Sequence, residues 1–146
     1  MTAYYMDEGV FDLPAGLDYV DKTVHMIEAP GKDGAEFGLL IERRPIPPGK
    51  SLADVVRSLR EEQAVKLRGH VAVGEGERTI GGIPSLWTRL RWRHAKGPVY
   101  HSQAHIPLGS VCLTMTASSR NERREACDAW MDTLLSTLRF RPRSGL

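Results

Sequence analysis

The stretch Ile83-Pro-Ser-Leu-Trp-Thr-Arg-Leu-Arg-Trp-Arg93 decides the fold. Leu86, Leu90 and Trp92 fall on one side of it, and Trp87, Arg89, Arg91 and Arg93 on the other. That is the period of two of a strand. Lys96-Gly97-Pro98 marks a hairpin after it. Val99 to Ile106 and Ser110 to Ala117 follow as strands, joined by Pro107-Leu-Gly109. Three consecutive strands with short turns predict an antiparallel meander.

Toward the C-terminus, Ser119-Arg-Asn-Glu122 matches the S-x-x-E capping box and predicts a helix from there. Ala126, Cys127, Trp130, Leu134 and Leu138 supply its apolar stripe. Arg139 to Leu146 is a basic tail containing Pro and Gly, expected to fray. Toward the N-terminus, Val71 and Val73 begin a strand that ends at Gly81-Gly82. Before it, Ser51 is an N-cap, and Leu52, Val55, Val56, Leu59, Gln63 and Leu67 recur at helical spacing up to Gly69. Asp54 sits in the first turn, where the helix dipole favours an anion. The first third reads as strands: Val10 to Leu13, then Asp21 to Ile27 ended by Ala29-Pro30-Gly31, then Glu36 to Arg43 closed by Pro45, Pro47, Pro48 and Gly49. Gly31-Lys-Asp-Gly34 is a loop. Strands, helix, strands, helix is an α+β order: an antiparallel sheet with two helices packed against it.

The 146 residues fit one domain covering 1–146, long enough to bury a core without disulfide or metal staples. Hydrophobic residues make up 41% and charged residues 26%, as in ordinary globular proteins. Lys and Arg number 20 against 18 Asp and Glu, a formal net charge of +2. So even a balance gives no general warrant for nucleic acid or acidic membranes; such a reading needs a local patch. Cys112 and Cys127 form no C-x-x-C pair and are expected as reduced, buried thiols. No run of about 18 apolar residues is present to span a membrane. The opening MTAYYMDEGVFDLP lacks a basic segment followed by an apolar one, so the expected compartment is the cytoplasm, without direct membrane insertion.

Signatures of catalysis are missing: no G-x-x-x-x-G-K-[ST], no H-E-x-x-H, no G-x-S-x-G. An enzyme is not expected, nor a cofactor. His101 and His105 share a strand face about 13 Å apart, too far for one zinc, so no metal site is expected. Arg89, Arg91 and Arg93 interleaved with Trp92 suit phosphate contact and base stacking, the alternative of a nucleic-acid-binding module, but without excess net charge a solvated sheet face is the reading preferred. The chain is read as binding no nucleic acid.

Apolar residues are in surplus on the early strands. Val24 and Met26 point one way and Thr23, His25 and Ile27 the other. Phe37, Leu39 and Ile41 share one side of the next strand, and Gly38, Leu40 and Glu42 the opposite one. If the helices cover the Leu39 face, then Val24, Met26 and Leu40 lie open. An open apolar face marks a binding surface, a dimer interface or a face covered by a loop.

Tyr4 to Pro14, Asp21-Lys-Thr-Val-His-Met, Leu39-Leu-Ile-Glu-Arg43 before Pro47-Pro-Gly, and the helix Ser51 to Leu67 follow one another in order. Gly81-Gly-Ile-Pro before a strand holding Trp92, Gln103 on the next strand, and Leu134 to Phe140 continue the series. In that order and spacing the chain resembles the DcrB-like domain family and, within it, the Eag chaperones of type VI secretion systems. The resemblance implies a PsbP-like α+β fold and a claw-shaped homodimer that binds the N-terminal transmembrane segments of effectors in the cytoplasm. It also implies a groove. Its residues here would be Val24 and Met26 on an early strand, Gly38, Leu40 and Glu42 on the next, Leu59, Gln63 and Leu67 on the first helix, and Val99 and Gln103 later. Glu42 stands where relatives carry a small hydroxyl residue and Leu59 where they carry an amide. The wider family also contains periplasmic proteins, so the alternative is a DcrB-like structural or envelope-associated protein without effector cargo.

Overall fold

The structure, a computed structural model, describes residues 2–6, 8–18, 22–31 and 34–141. Asp21, Lys32 and Asp33 of the expected loop, and the tail beyond Arg141 lie outside the described residues. Strands β1 (Thr2–Met6) and β2 (Gly9–Leu13) pair as a separate two-stranded sheet. The main sheet has six strands, β3 (His25–Gly31), β4 (Gly34–Pro45), β5 (Val71–Ile80), β6 (Ile83–His94), β7 (Gly97–Leu108) and β8 (Val111–Arg120). Their order is β3-β4-β8-β7-β6-β5, and every pairing is antiparallel. The meander over β6, β7 and β8 is as the alternation predicts.

Helix α1 (Leu52–Lys66) connects β4 to β5, so it must cross three strands to reach the opposite edge. Helix α2 (Arg124–Thr137) follows β8. The two helices lie on opposite faces of the sheet, rather than together over Leu39. On the α2 face Leu39, Tyr100, Ala104, Ile106, Leu113, Met115 and Ala117 meet Cys127, Met131 and Leu135 in one apolar core. On the other face Gln63 of α1 bonds Gln103 of β7. Val56 and Leu59 are buried there, outside that core cluster.

The Ser51 cap forms as expected: its hydroxyl accepts from Asp54 N–H while the Asp54 carboxylate accepts from Ser51 N–H. The second expected cap does not form. β8 runs through Ser119 to Arg120, a 3-10 turn covers Asn121–Arg123, and Ser119 Oγ donates to Arg120 O. Strand pairing of Tyr100 with Ser119 holds that serine in the sheet, so it cannot start a helix. The stripe of α2 is also shifted; Met131 and Leu135 are buried beside Cys127, with Trp130, Leu134 and Leu138 at the margin.

β3 departs from expectation as well. Lys22 to Val24 precede it, and it continues through Ala29-Pro30-Gly31, read above as a stop. A proline is tolerated because β3 is an edge strand and its register shifts between Ala29 and Pro30. At the other edge, β5 bulges between Ala72 and Gly74. Beyond the bulge the Trp87 indole lies over Gly74 and Gly76; a Cβ on Gly76 would sit 2.7 Å from the ring. Arg89 stacks on that indole at 4.7 Å and faces Asp128 of α2 at 3.5 Å. Asp128 also accepts from Tyr100 OH at 2.6 Å.

Candidate functional site: an open cradle beside the first helix

Beyond α1 the sheet stays uncovered toward its β3 edge. Ladder pairing puts Met26 beside Leu40, Leu40 beside Thr116, Glu28 beside Gly38, and Gly38 beside Ser118. Partners in a ladder share a face. Met26, Gly38, Leu40 and Glu42 therefore lie together on the floor of a cradle, with Thr114, Thr116 and Ser118 next to them. Met26 is 75% exposed. At Gly38 an added Cβ would come within 3.0 Å of Ser118 Oγ, so the floor is tight there.

Helix α1 forms the wall. Arg44 on β4 bonds Glu62 of α1 at 3.2 Å and lies 3.9 Å from Glu42, while Lys66 bonds Glu62 at 3.1 Å. The hydrogen bonds from Lys66 and Arg44 hold the Glu62 carboxyl below its usual range. Glu42 is thus engaged with Arg44 rather than free. Arg44 Nε and Gln63 Oε1 are buried with no hydrogen-bond partner among the described residues. One unfilled donor and one unfilled acceptor belong to the two side chains that seat α1.

Under α1 the buried layer contains a polar network. Thr88 Oγ1 lies 3.0 Å from Gln103 Oε1 and 2.8 Å from His105 Nε2. Its single proton goes to the amide oxygen, so His105 Nε2 carries the ring proton and donates to Thr88. His105 Nδ1 then accepts from Thr114 Oγ1 at 3.1 Å, and Thr114 can accept from the Cys112 thiol at 3.7 Å. Gln103 Nε2 donates to Thr116 Oγ1 at 3.1 Å. The chain of bonds needs a neutral His105, and burial holds its pKa down to about 4. Burial lowers His101 likewise to about 4; its Nε2 accepts from the Trp92 indole at 3.1 Å. Cys112 and Cys127 are both free and buried, and burial raises both thiols, Cys127 to about 11. Among the described residues no three His, Cys, Asp or Glu gather as metal ligands.

Of the residues expected in a groove, the structure thus brings Met26, Gly38, Leu40 and Glu42 together. Val24 stands just before β3, outside the ladder, and is 48% exposed. Leu59 and Gln103 are 5% and 4% exposed, packed between α1 and the sheet, and Gln63 bonds Gln103 there. They shape the cradle from beneath the helix rather than lining its floor. Leu67 caps α1 and is partly buried, and Val99 lies beside Trp92 on β7, away from the β3 edge. Trp92 and Arg89 face opposite sides of the sheet, so the arginines and that tryptophan form no joint stacking surface.

Sequence reading missed the extent of the apolar surface. Ten large hydrophobic side chains are exposed among the described residues, and seven of them lie between Tyr5 and Ile27. Tyr5, Val10, Phe11 and Leu17 join Val24, Met26 and Ile27. The signal was available: a hairpin of two five-residue strands is too small to hide both of its faces. Tyr4 packs on Phe11 at 5.2 Å and its hydroxyl meets Thr23 Oγ1 at 2.8 Å, which ties the hairpin to the segment leading into β3.

Three solved structures share the fold. A Pseudomonas aeruginosa protein of unknown function, PA94, superposes with a TM-score of 0.76 at 19% identity, covering 98% of this chain and 99% of its own. The cyanobacterial PsbP, CyanoP, of Synechocystis sp. PCC 6803 gives 0.57 at 14% identity, with 93% and 89% covered. LpqN of Mycobacterium tuberculosis, involved in cell envelope biogenesis, gives 0.51 at 12% identity, with 83% and 86% covered. These likenesses establish a PsbP-like α+β fold. No helix among the described residues is long and apolar enough to cross a membrane. No curated protein matches the chain by sequence. Residues 8–137 match the DcrB family model, and the chain belongs to the DcrB family.

Proposed function

We propose that this DcrB-family protein is a chaperone that shields the hydrophobic N-terminal segments of a type VI secretion effector before export, acting in the cytoplasm as a homodimer. The observation that carries the reading is the concentration of exposed apolar side chains from Tyr5 to Ile27 beside an uncovered sheet edge. A transmembrane helix exposes about 20 apolar residues and aggregates in water. A cradle floored by Met26 and Leu40, with Gly38 allowing close approach, can take the place of lipid. Two protomers offer two cradles, enough for a helical hairpin.

The test is co-expression with the N-terminal hydrophobic segment of an effector encoded beside this gene. Met26→Asp should abolish co-purification and leave the melting temperature unchanged, because its carboxylate faces water until cargo desolvates it. Leu39→Asp, at a position 6% exposed, should instead destabilise the fold by several kcal/mol, on the order of a buried unpaired charge. Full cargo binding by Met26→Asp overturns the cradle. Light scattering should give a mass about twice that of one chain; a monomer with and without cargo counts against the paired arrangement. Failure of every hydrophobic segment to co-purify leaves the envelope-associated role of other DcrB-like proteins.

A further inference from the structure

At the opposite edge of the sheet from β3, one corner carries a different surface. There α1 hands over to β5 through Leu67-Arg-Gly69, and Arg93 N–H donates to Arg68 O at 2.7 Å. β6 turns into β7 through Ala95-Lys96 at the same corner. These connections bring Arg68, Arg91, Arg93 and Lys96 together, all exposed. None of the four side chains forms an ion pair or hydrogen bond among the described residues. By contrast Arg44, Arg57, Arg60, Lys66, Arg78, Arg89, Arg120 and Arg123 each have a carboxylate partner. Glu122, after the end of β8, is taken by Arg120 at 3.2 Å.

The corner is not only basic. Val71 and Val73 at the start of β5 are 42% and 51% exposed. Val71 pairs with Arg91 across the ladder, so an exposed aliphatic and an unpaired cation share a face. Unneutralised cations beside exposed aliphatics fit an anionic bilayer: headgroups attract the charges and the acyl boundary takes the valines. Nucleic acid accounts for the arginines alone. The neighbouring aromatic, Trp92, points to the other face with its indole N–H given to His101, and offers no ring for base stacking. The net charge of only +2 makes the corner a local feature. We propose that this corner docks the protein peripherally on an anionic membrane surface. The proposal stands apart from the chaperone reading, because the cradle lies at the other edge of the sheet.

Flotation with vesicles of mixed phosphatidylglycerol and phosphatidylcholine tests it, with pure phosphatidylcholine as the neutral arm. Binding should be confined to the anionic vesicles and weaken as salt rises. Each cation near such a surface is worth about fivefold in partitioning, so Arg91→Glu with Arg93→Glu should lower it about thirtyfold or more. Val71→Ser should lower it a few-fold. Lys96→Glu, in an exposed turn, should lower it about fivefold or more, and stands in if the double variant melts early. Met26→Asp should leave vesicle binding intact. Equal binding to neutral vesicles, undiminished binding by the charge variants, or loss with Met26→Asp each overturns the corner. So does a DNA duplex that outcompetes the vesicles and is bound equally by Val71→Ser.

Discussion

Against α2 the sheet presents Tyr100, Ala104, Ile106, Leu113, Met115 and Ala117; against α1 it presents Thr88, Gln103, His105, Thr114 and Thr116. Both sets are buried on the same sheet, within strands β6 to β8, and they hold their helices by different physics. The α2 side works through apolar area and close packing, which contribute about 1.5–3 kcal/mol per large side chain. The α1 side adds to the apolar contact of Val56 and Leu59 a set of hydrogen bonds whose net worth is about 1 kcal/mol each, but whose loss orphans a buried partner. The first arrangement supplies stability. The second fixes where α1 sits, and hence the wall of the cradle.

The contrast can be broken most forcefully at Ile106, which is fully buried. Ile106→Ala should cost about 2–5 kcal/mol in urea unfolding. A loss below about 1 kcal/mol there would mean that the apolar face is not the main source of stability.

Acid separates the two faces next, because His101 and His105 lie on the α1 side. His105 has a pKa near 4 when folded against 6.5 in the ordinary state, so the unfolded chain takes up a proton that the folded one refuses. Its contribution is fully present above pH 6.5 and is lost as the pH falls toward 4, by about 1.4 kcal/mol per unit. His101, less deeply buried, adds in the same direction. Unfolding followed against pH should show this limb, and His105→Gln should flatten it. A limb unchanged in that variant would place the acid sensitivity elsewhere.

Gln103→Leu sharpens the comparison further. It strands the Thr88 hydroxyl and the Gln63 amide, and should cost about 1–3 kcal/mol by chemical denaturation. Hydrogen exchange in α1 should rise more than in α2; equal acceleration of both helices would contradict separate anchoring. Smallest is Ser51→Ala, which removes the cap of α1 and should lower stability by about 1 kcal/mol.

The meander was legible in the sequence because Leu86, Leu90 and Trp92 alternate cleanly and glycines mark the turns. Ser51 and Asp54 gave away α1 for an equally local reason. The placement of the helices was not legible. Gln103, His105, Thr114 and Thr116 are polar residues at alternating positions, and their mutual hydrogen bonds show how they are buried beneath a helix. Pro30 was a false stop, since an edge strand leaves one side without a ladder partner. Of the candidate site, Met26 and Leu40 followed from alternation, whereas Leu59 and Gln103 needed the position of α1 to show that they lie beneath it.

The Trp87 indole lying over Gly74 and Gly76 sets an order in which this sequence can drift. A methyl at position 76 evicts the ring. The ring in turn carries Arg89, and Arg89 faces the Asp128 that receives the Tyr100 hydroxyl. A change at one bare backbone position of β5 is therefore transmitted to the anchor of α2 on the sheet. A smaller residue at 87 has to come first, and only then is position 76 released to acquire a side chain.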